Sequence, residues 1–323
     1  YTLYYTSGDP TLSGLDFHTV TALGVQTLTV SAANPLLLFD LDVSLEWDAR
    51  NDAPYLTQLE RDLQRTSQVL YDLSNGQIAL GNVRVFHAKE RWMDAHIVIR
   101  ASNKARPIAN LGGVVSVPTD DVVSPSSLAG TQVITSAYIP GQVHIGATWN
   151  RFGEPGGSLE DDWPRALAHE LGHYLLFLQD NYLGVSEAGL LTHTDCRGSA
   201  MTDPYSDAYS EYLTADAWTG ECLDTLAEHT VGRADWKTID TFYPMVNAIR
   251  TNSGPNDLPL AVTQITFAEI VTPANTLAAP FFSLIDAAGR PLDAGQASGY
   301  LFKTCLLYTS PSPRDRTRSR MPS

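Results

Sequence analysis

Two histidines four residues apart with a glutamate beside the first, His169-Glu170-Leu171-Gly172-His173, restrict the fold of this chain more than any other feature. On a helix, such residues lie about 40° apart around the axis and one turn along it, so both imidazoles can reach one metal ion. Glu170, on the neighbouring flank, can reach a water held by that ion. The surrounding sequence is helical in pattern, with Leu167, Leu171, Tyr174, Leu175 and Leu178 on an apolar stripe. Trp163-Pro164 stands where a helix can start, and Glu160, Asp161 and Asp162 lie near its positive end. The constellation implies a catalytic Zn2+ that lowers the pKa of its water, while Glu170 takes the proton as a carbonyl is attacked.

The rest of the composition narrows the partners. At 323 residues and 43% apolar content, the chain has ample core for one large or two modest domains. Thirty-six acidic against 21 basic residues argue against a nucleic-acid partner, since little here would neutralise phosphates. No apolar run approaches the roughly 18–20 residues of a membrane span, and Pro35-Leu-Leu-Leu-Phe is cut off by Asp40 and Asp42. Beginning at Tyr1 in what reads as mid-strand, the sequence is expected to be a fragment whose targeting region lies elsewhere. Residues 303–323 change character abruptly, with Lys303, Arg314, Arg316, Arg318 and Arg320 against Asp315 alone. This segment reads as a non-native basic tail and is set apart from the fold. Outside it, Cys196 and Cys222 flank the segment after the metal helix. They are read either as a disulfide pinning a loop under the site or as two buried thiols, and spacing does not decide between them. The disulfide reading carries an extracellular or cell-surface location with it.

Along the chain, residues 1–40 alternate in short β-like runs, as a lead-in or the end of a preceding β-domain. From 41 to 250 the pattern turns to α and β. A strand is expected at Val43–Trp47 and an amphipathic helix over 54–73, with Leu56, Leu59, Leu63, Val69, Leu70 and Leu73 on one face. Further strands are expected at Ile78–Phe86, His96–Ile99, Gln132–Tyr138 and Gln142–Thr148, with a loop-rich stretch over 100–130. Residues 251–302 read as a truncated β-sandwich-like domain. His18, His87, His96, His144 and His229 are read as structural.

Order and spacing resemble the metzincin clan of zinc endopeptidases. The resemblance implies an α+β, zincin-like catalytic domain with a twisted mixed sheet, a zinc helix and a Met-turn, flanked by β-rich modules, acting on a peptide or protein substrate. Thr135-Ser-Ala-Tyr-Ile-Pro-Gly-Gln-Val-His-Ile-Gly-Ala-Thr resembles the edge strand, turn and strand that precede the zinc helix in matrix metalloproteinases. That implies substrate pairing through the backbone of Ile134, Thr135, Ser136, Ala137 and Tyr138. His169 through Tyr182 resembles the HExxHxxxGxxDE pattern of the metallopeptidase domain in calcium-activated chloride channel regulators and related bacterial surface proteins. Carried over by position, His169 and His173 are ligands, Glu170 is the base and Asp180 is the third ligand. Phe177 stands where that family has Gly, and Asn181 where it has Glu.

Downstream, Gly198-Ser-Ala-Met-Thr-Asp-Pro-Tyr resembles the Met-turn, with Met201 beneath the metal and Tyr205 able to hydrogen-bond the tetrahedral intermediate. Cys222 with Gly232-Arg-Ala-Asp-Trp-Lys-Thr-Ile resembles the end of the chloride-channel-regulator domain, so the likeness spans about 41–245.

Asp180 follows His169 by 11 residues, and an unbroken helix would place it some 16 Å away along the axis. It can ligate only if the chain doubles back after His173, and Phe177 in place of Gly opposes the left-handed turn this needs. Glu211 in a gluzincin layout, His193 and Glu187 stay open as alternative third ligands. A surface adhesion module with a merely structural zincin domain stays open as an alternative function.

Overall fold

The computed structural model describes residues 2–5, 24–27, 30, 35–125, 134–152, 161–248, 258, 260–269, 302–303 and 306–307. The chain divides into two units, Tyr1–Ala268 and Glu269–Ser323. In the second, β13 (Phe302–Lys303) pairs antiparallel with β14 (Leu306–Leu307). In the first, β1 (Thr2–Tyr5) pairs antiparallel with β2 (Gly24–Thr27).

The first unit is built on a six-stranded mixed sheet. Its strands are β3 (Leu37–Leu45), β4 (Ile78–Phe86), β5 (Ile97–Arg100), β6 (Ile108–Ala109), β9 (Val143–Gly146) and β12 (Gln264–Phe267), in the order β12-β4-β3-β5-β9-β6. All neighbours run parallel except β6, which closes one edge antiparallel to β9. The parallel pairing of β3 with β4 needs a crossover, and helix α1 (Ala53–Leu73) supplies it. Asp52 caps α1 by accepting from Tyr55 N at 3.3 Å, and Pro54 fits the first turn because its missing N–H would be unpaired there anyway.

Alternation along the strands sends Leu41, Val43 and Leu45 from β3, Val83 and Val85 from β4, Ile97 and Ile99 from β5, and Val143 and Ile145 from β9 into one buried cluster. Leu59, Leu63 and Leu70 of α1 join it, with Leu167, Leu171 and Leu175 of helix α2 (Asp162–Leu176). Both helices therefore sit on one face of the sheet. On the other face Asp42 and Ser44 are buried beneath the loop after β4, where Ser44 Oγ donates to Glu90 O at 2.6 Å and Arg84 pairs with Asp42 at 2.7 Å. Helices α3 (Leu226–Thr230) and α4 (Asp235–Phe242) follow α2. No described helix is long and apolar enough to cross a membrane.

Three expectations change. Ile134 through Tyr138 forms β8, which pairs with β7 (Thr119–Val123) in a two-stranded sheet of its own; Ile134, Thr135, Ser136, Ala137 and Tyr138 are not the edge of the main sheet. That edge is β6, in the stretch read as loop, because two residues are too short to show an alternating pattern. The boundary expected at 250 falls after Ala268, since β12 adds to β4, and the one expected at 40 falls inside β3. A parallel strand added from so far along the chain leaves no local sequence signal.

Candidate metal centre

Helix α2 is fixed at its start by buried polar contacts. Asp161, at its N-cap, pairs with Arg65 of α1 at 2.6 Å, both side chains nearly inaccessible. Trp163 Nε1 donates to Gly146 O at the end of β9, at 2.9 Å. In the middle, Gly172 admits Met201: a β-carbon at 172 would stand 2.8 Å from the Met201 sulfur. Met201 is fully buried against the helix.

The end of α2 resolves the question of the turn. Phe177 adopts φ +62° and ψ +21°, the left-handed conformation usually left to Gly, and Leu178 N donates to Gly172 O at 3.1 Å. The carbonyls left free at the helix end find partners elsewhere in the fold: Gly112 N donates to His173 O at 2.9 Å, and the Tyr243 hydroxyl to Leu175 O at 2.7 Å. The Phe177 ring is buried, stacked on Phe242 at 3.7 Å and edge-on to Tyr138 at 4.9 Å. Gly112 itself has φ +60°, and any β-carbon there would lie 2.5 Å from the Phe177 ring. The chain thus doubles back with a phenylalanine at the turn.

The return brings Asp180 to the histidines. His169 Nε2 and His173 Nε2 are 3.2 Å apart, and each is 3.2 Å from Asp180 Oδ1. Each Nδ1 faces a backbone carbonyl: His169 toward Ala200 O at 3.1 Å and His173 toward Leu178 O at 2.6 Å. With Nδ1–H donated outward, both Nε2 lone pairs point inward. Two imidazole nitrogens and a carboxylate oxygen at these distances are held together by positive charge among them, either a proton on Nε2 hydrogen-bonded to Asp180 or a bound cation. Three donors of this kind bound at 2.0–2.1 Å to a common tetrahedral centre stand about 3.3 Å apart, so the triangle has the dimensions a small divalent cation needs. Among the described residues, these three are the group able to hold a metal ion. Burial alone would raise the Asp180 carboxyl, but the two imidazoles outweigh it and hold it well below the usual range. Burial lowers His173, and Asp180 outweighs that to raise it.

Glu170 is buried next to this triangle, and burial pushes its carboxyl up against the opposing pull of His169 and His173. It has no hydrogen-bond partner among the described residues. Tyr205 is half-buried, stacked on Trp149 at 5.8 Å; burial raises its hydroxyl, with Asp162 and Glu170 adding to the shift. The other candidates for third ligand stand apart. His193 lies exposed on β11 (Leu191–His193), paired with β10 (Leu183–Val185), Glu187 is exposed in the turn between them, and Glu211 bridges to Ser199 through its backbone.

The surroundings of Asn181 account for an amide at this position. Its Nδ2 donates to Asp235 Oδ1 and to Ser199 Oγ, both at 2.8 Å, and Ser199 Oγ donates to Asp235 Oδ2 at 2.8 Å. Asn181 N also donates to Met201 O at 2.9 Å. Asp235 is buried, and burial raises its carboxyl, so a glutamate at 181 would set two carboxylates against each other, whereas an amide supplies donors. The network ties the Asp180 turn to the Met201 turn. Cys196 and Cys222 are joined in a disulfide across 26 residues, bracketing that second turn.

Sequence reasoning missed Tyr182, Asp235, Gly112 and Arg106. Tyr182 is pushed up to about 12 by burial and then by Asp180, to which its hydroxyl hydrogen-bonds. Its closeness to Asp180 in the sequence was the available signal; the others come from distant segments. No family model matches this chain, and no curated protein is similar to it in sequence.

Proposed function

We propose that this chain is a zinc-dependent endopeptidase of metzincin-like layout, resembling the chloride-channel-regulator metallopeptidase domain, with His169, His173 and Asp180 as ligands. The observation that carries the reading is the 3.2 Å triangle of donor atoms with both Nδ1 groups turned outward. Two imidazoles and one carboxylate suit zinc better than calcium or magnesium, which prefer all-oxygen sets. When bound, zinc polarises a carbonyl and lowers the pKa of a water.

Glu170 then accepts the proton of the attacking water and passes it to the leaving amine, so water is added across the amide and no other reactant is needed. Burial, by raising its carboxyl, moves this base toward the working pH range. A buried carboxylate with no partner is costly to keep, which favours this role over a purely structural adhesion module. Tyr205 is the candidate donor to the developing oxyanion, and Met201 packs beneath the ion. An extended peptide would pair with the open side of β6, which has no neighbouring strand there among the described residues. The disulfide fits an extracellular or cell-surface location.

The test is peptide hydrolysis by wild type and Glu170→Gln, with zinc measured in both. Zinc is expected in both proteins, with turnover of the variant down by a factor of about 100 or more. Equal turnover would refute the mechanism.

A further inference from the structure

Residues 95–119 contain no Asp or Glu, in a chain with 36 acidic and 21 basic residues. The same span holds Arg100, Lys104 and Arg106. Arg100 leans on His144 Nδ1 at 3.1 Å and over the Trp92 ring at 5.8 Å. Lys104 and Arg106 are exposed and have no carboxylate partner among the described residues.

Their place in the fold is well fixed. Asn103 holds the loop to the end of β9 by accepting from Thr148 N at 3.1 Å and donating to Thr148 Oγ1 at 2.7 Å. Arg106 is two residues before β6, and the segment after β6 is tied to the ligand helix by Gly112 N to His173 O at 2.9 Å and Val114 N to Tyr174 O at 3.3 Å. An unpaired guanidinium therefore stands at the start of the edge strand whose following segment is tied to α2.

We propose that this cationic rim selects peptides bearing acidic side chains on the stretch that pairs with β6, with Arg106 as the specificity residue and Lys104 in support. The inference rests on the peptidase reading and adds a substrate class to it. Pairing along β6 engages only backbone and carries no sequence information, so discrimination must come from flanking side chains. A guanidinium fork matches a carboxylate in shape and charge. The protein's overall negative charge opposes acidic peptides at long range, which makes a local cation the means of accepting them.

The experiment uses zinc-loaded protein and a pair of peptides identical except for Glu or Gln at every second position, cleaved in competition. The Glu peptide is expected to be preferred about two- to fivefold, as exposed ion pairs give. The preference should shrink in Arg106→Gln, invert in Arg106→Glu, and fade near 1 M salt. Cleavage of both peptides without preference, or a ratio unmoved in Arg106→Glu, overturns this inference alone. Zinc-loaded wild type that cuts neither peptide overturns the peptidase reading with it.

Discussion

Phe177 holds φ +62°, a conformation that costs a residue with a β-carbon roughly 1–2 kcal/mol. The ring stacked on Phe242 and facing Gly112 offsets that cost, because burying a phenyl group in a packed site contributes several kcal/mol. Phe177→Gly should relieve the backbone yet empty the site beneath Gly112, Tyr138 and Phe242. We expect a net loss of about 2–4 kcal/mol in denaturant unfolding; a variant as stable as wild type would show that the aromatic cluster contributes nothing. The histidines and Glu170 were legible from local spacing, because one helix sets their geometry. Phe177 was read as an obstacle to the turn, since its partners Gly112 and Phe242 lie some 65 residues away on either side and leave no periodic trace. Asn181 was likewise seen only as a departure, because Asp235 is 54 residues downstream.

At the level of elements, two turns must be held against each other for Asp180 to reach the histidines. The Asn181–Ser199–Asp235 network joins them directly, and the Cys196–Cys222 disulfide closes the segment that carries Met201. Cross-linking across 26 residues stabilises the fold by roughly 3 kcal/mol on the loop-entropy model. Changing both cysteines to serine should lower unfolding stability by about that amount, and an unchanged midpoint would place the constraint elsewhere. Spacing left both disulfide and free thiols open, since it gives no distance between the two sulfurs. The helices and longer strands followed from periodicity: α1 runs Ala53–Leu73 against an expected 54–73, and β4 coincides with Ile78–Phe86. The edge strand was misplaced onto 134–138 because β8 has a clear strand pattern while β6 is two residues long.

Over the whole first unit, one sheet face and two helices form the core, and the His169–His173–Asp180 triangle lies where α2 ends. The β12 strand completes the far edge from beyond residue 250, so the sheet is not contained within the segment that carries the motif. Because the triangle brings three electron-rich atoms together, a cation bound there should stabilise the native chain by mass action as well as serve chemistry. Metal content is the most direct test of that ion. Elemental mass spectrometry on protein freed of loosely bound metal should give one zinc per chain for wild type. His173→Ala and Asp180→Ala, folded by circular dichroism, should both have lost it. Wild type without zinc, or Asp180→Ala that keeps its full complement, would contradict the account.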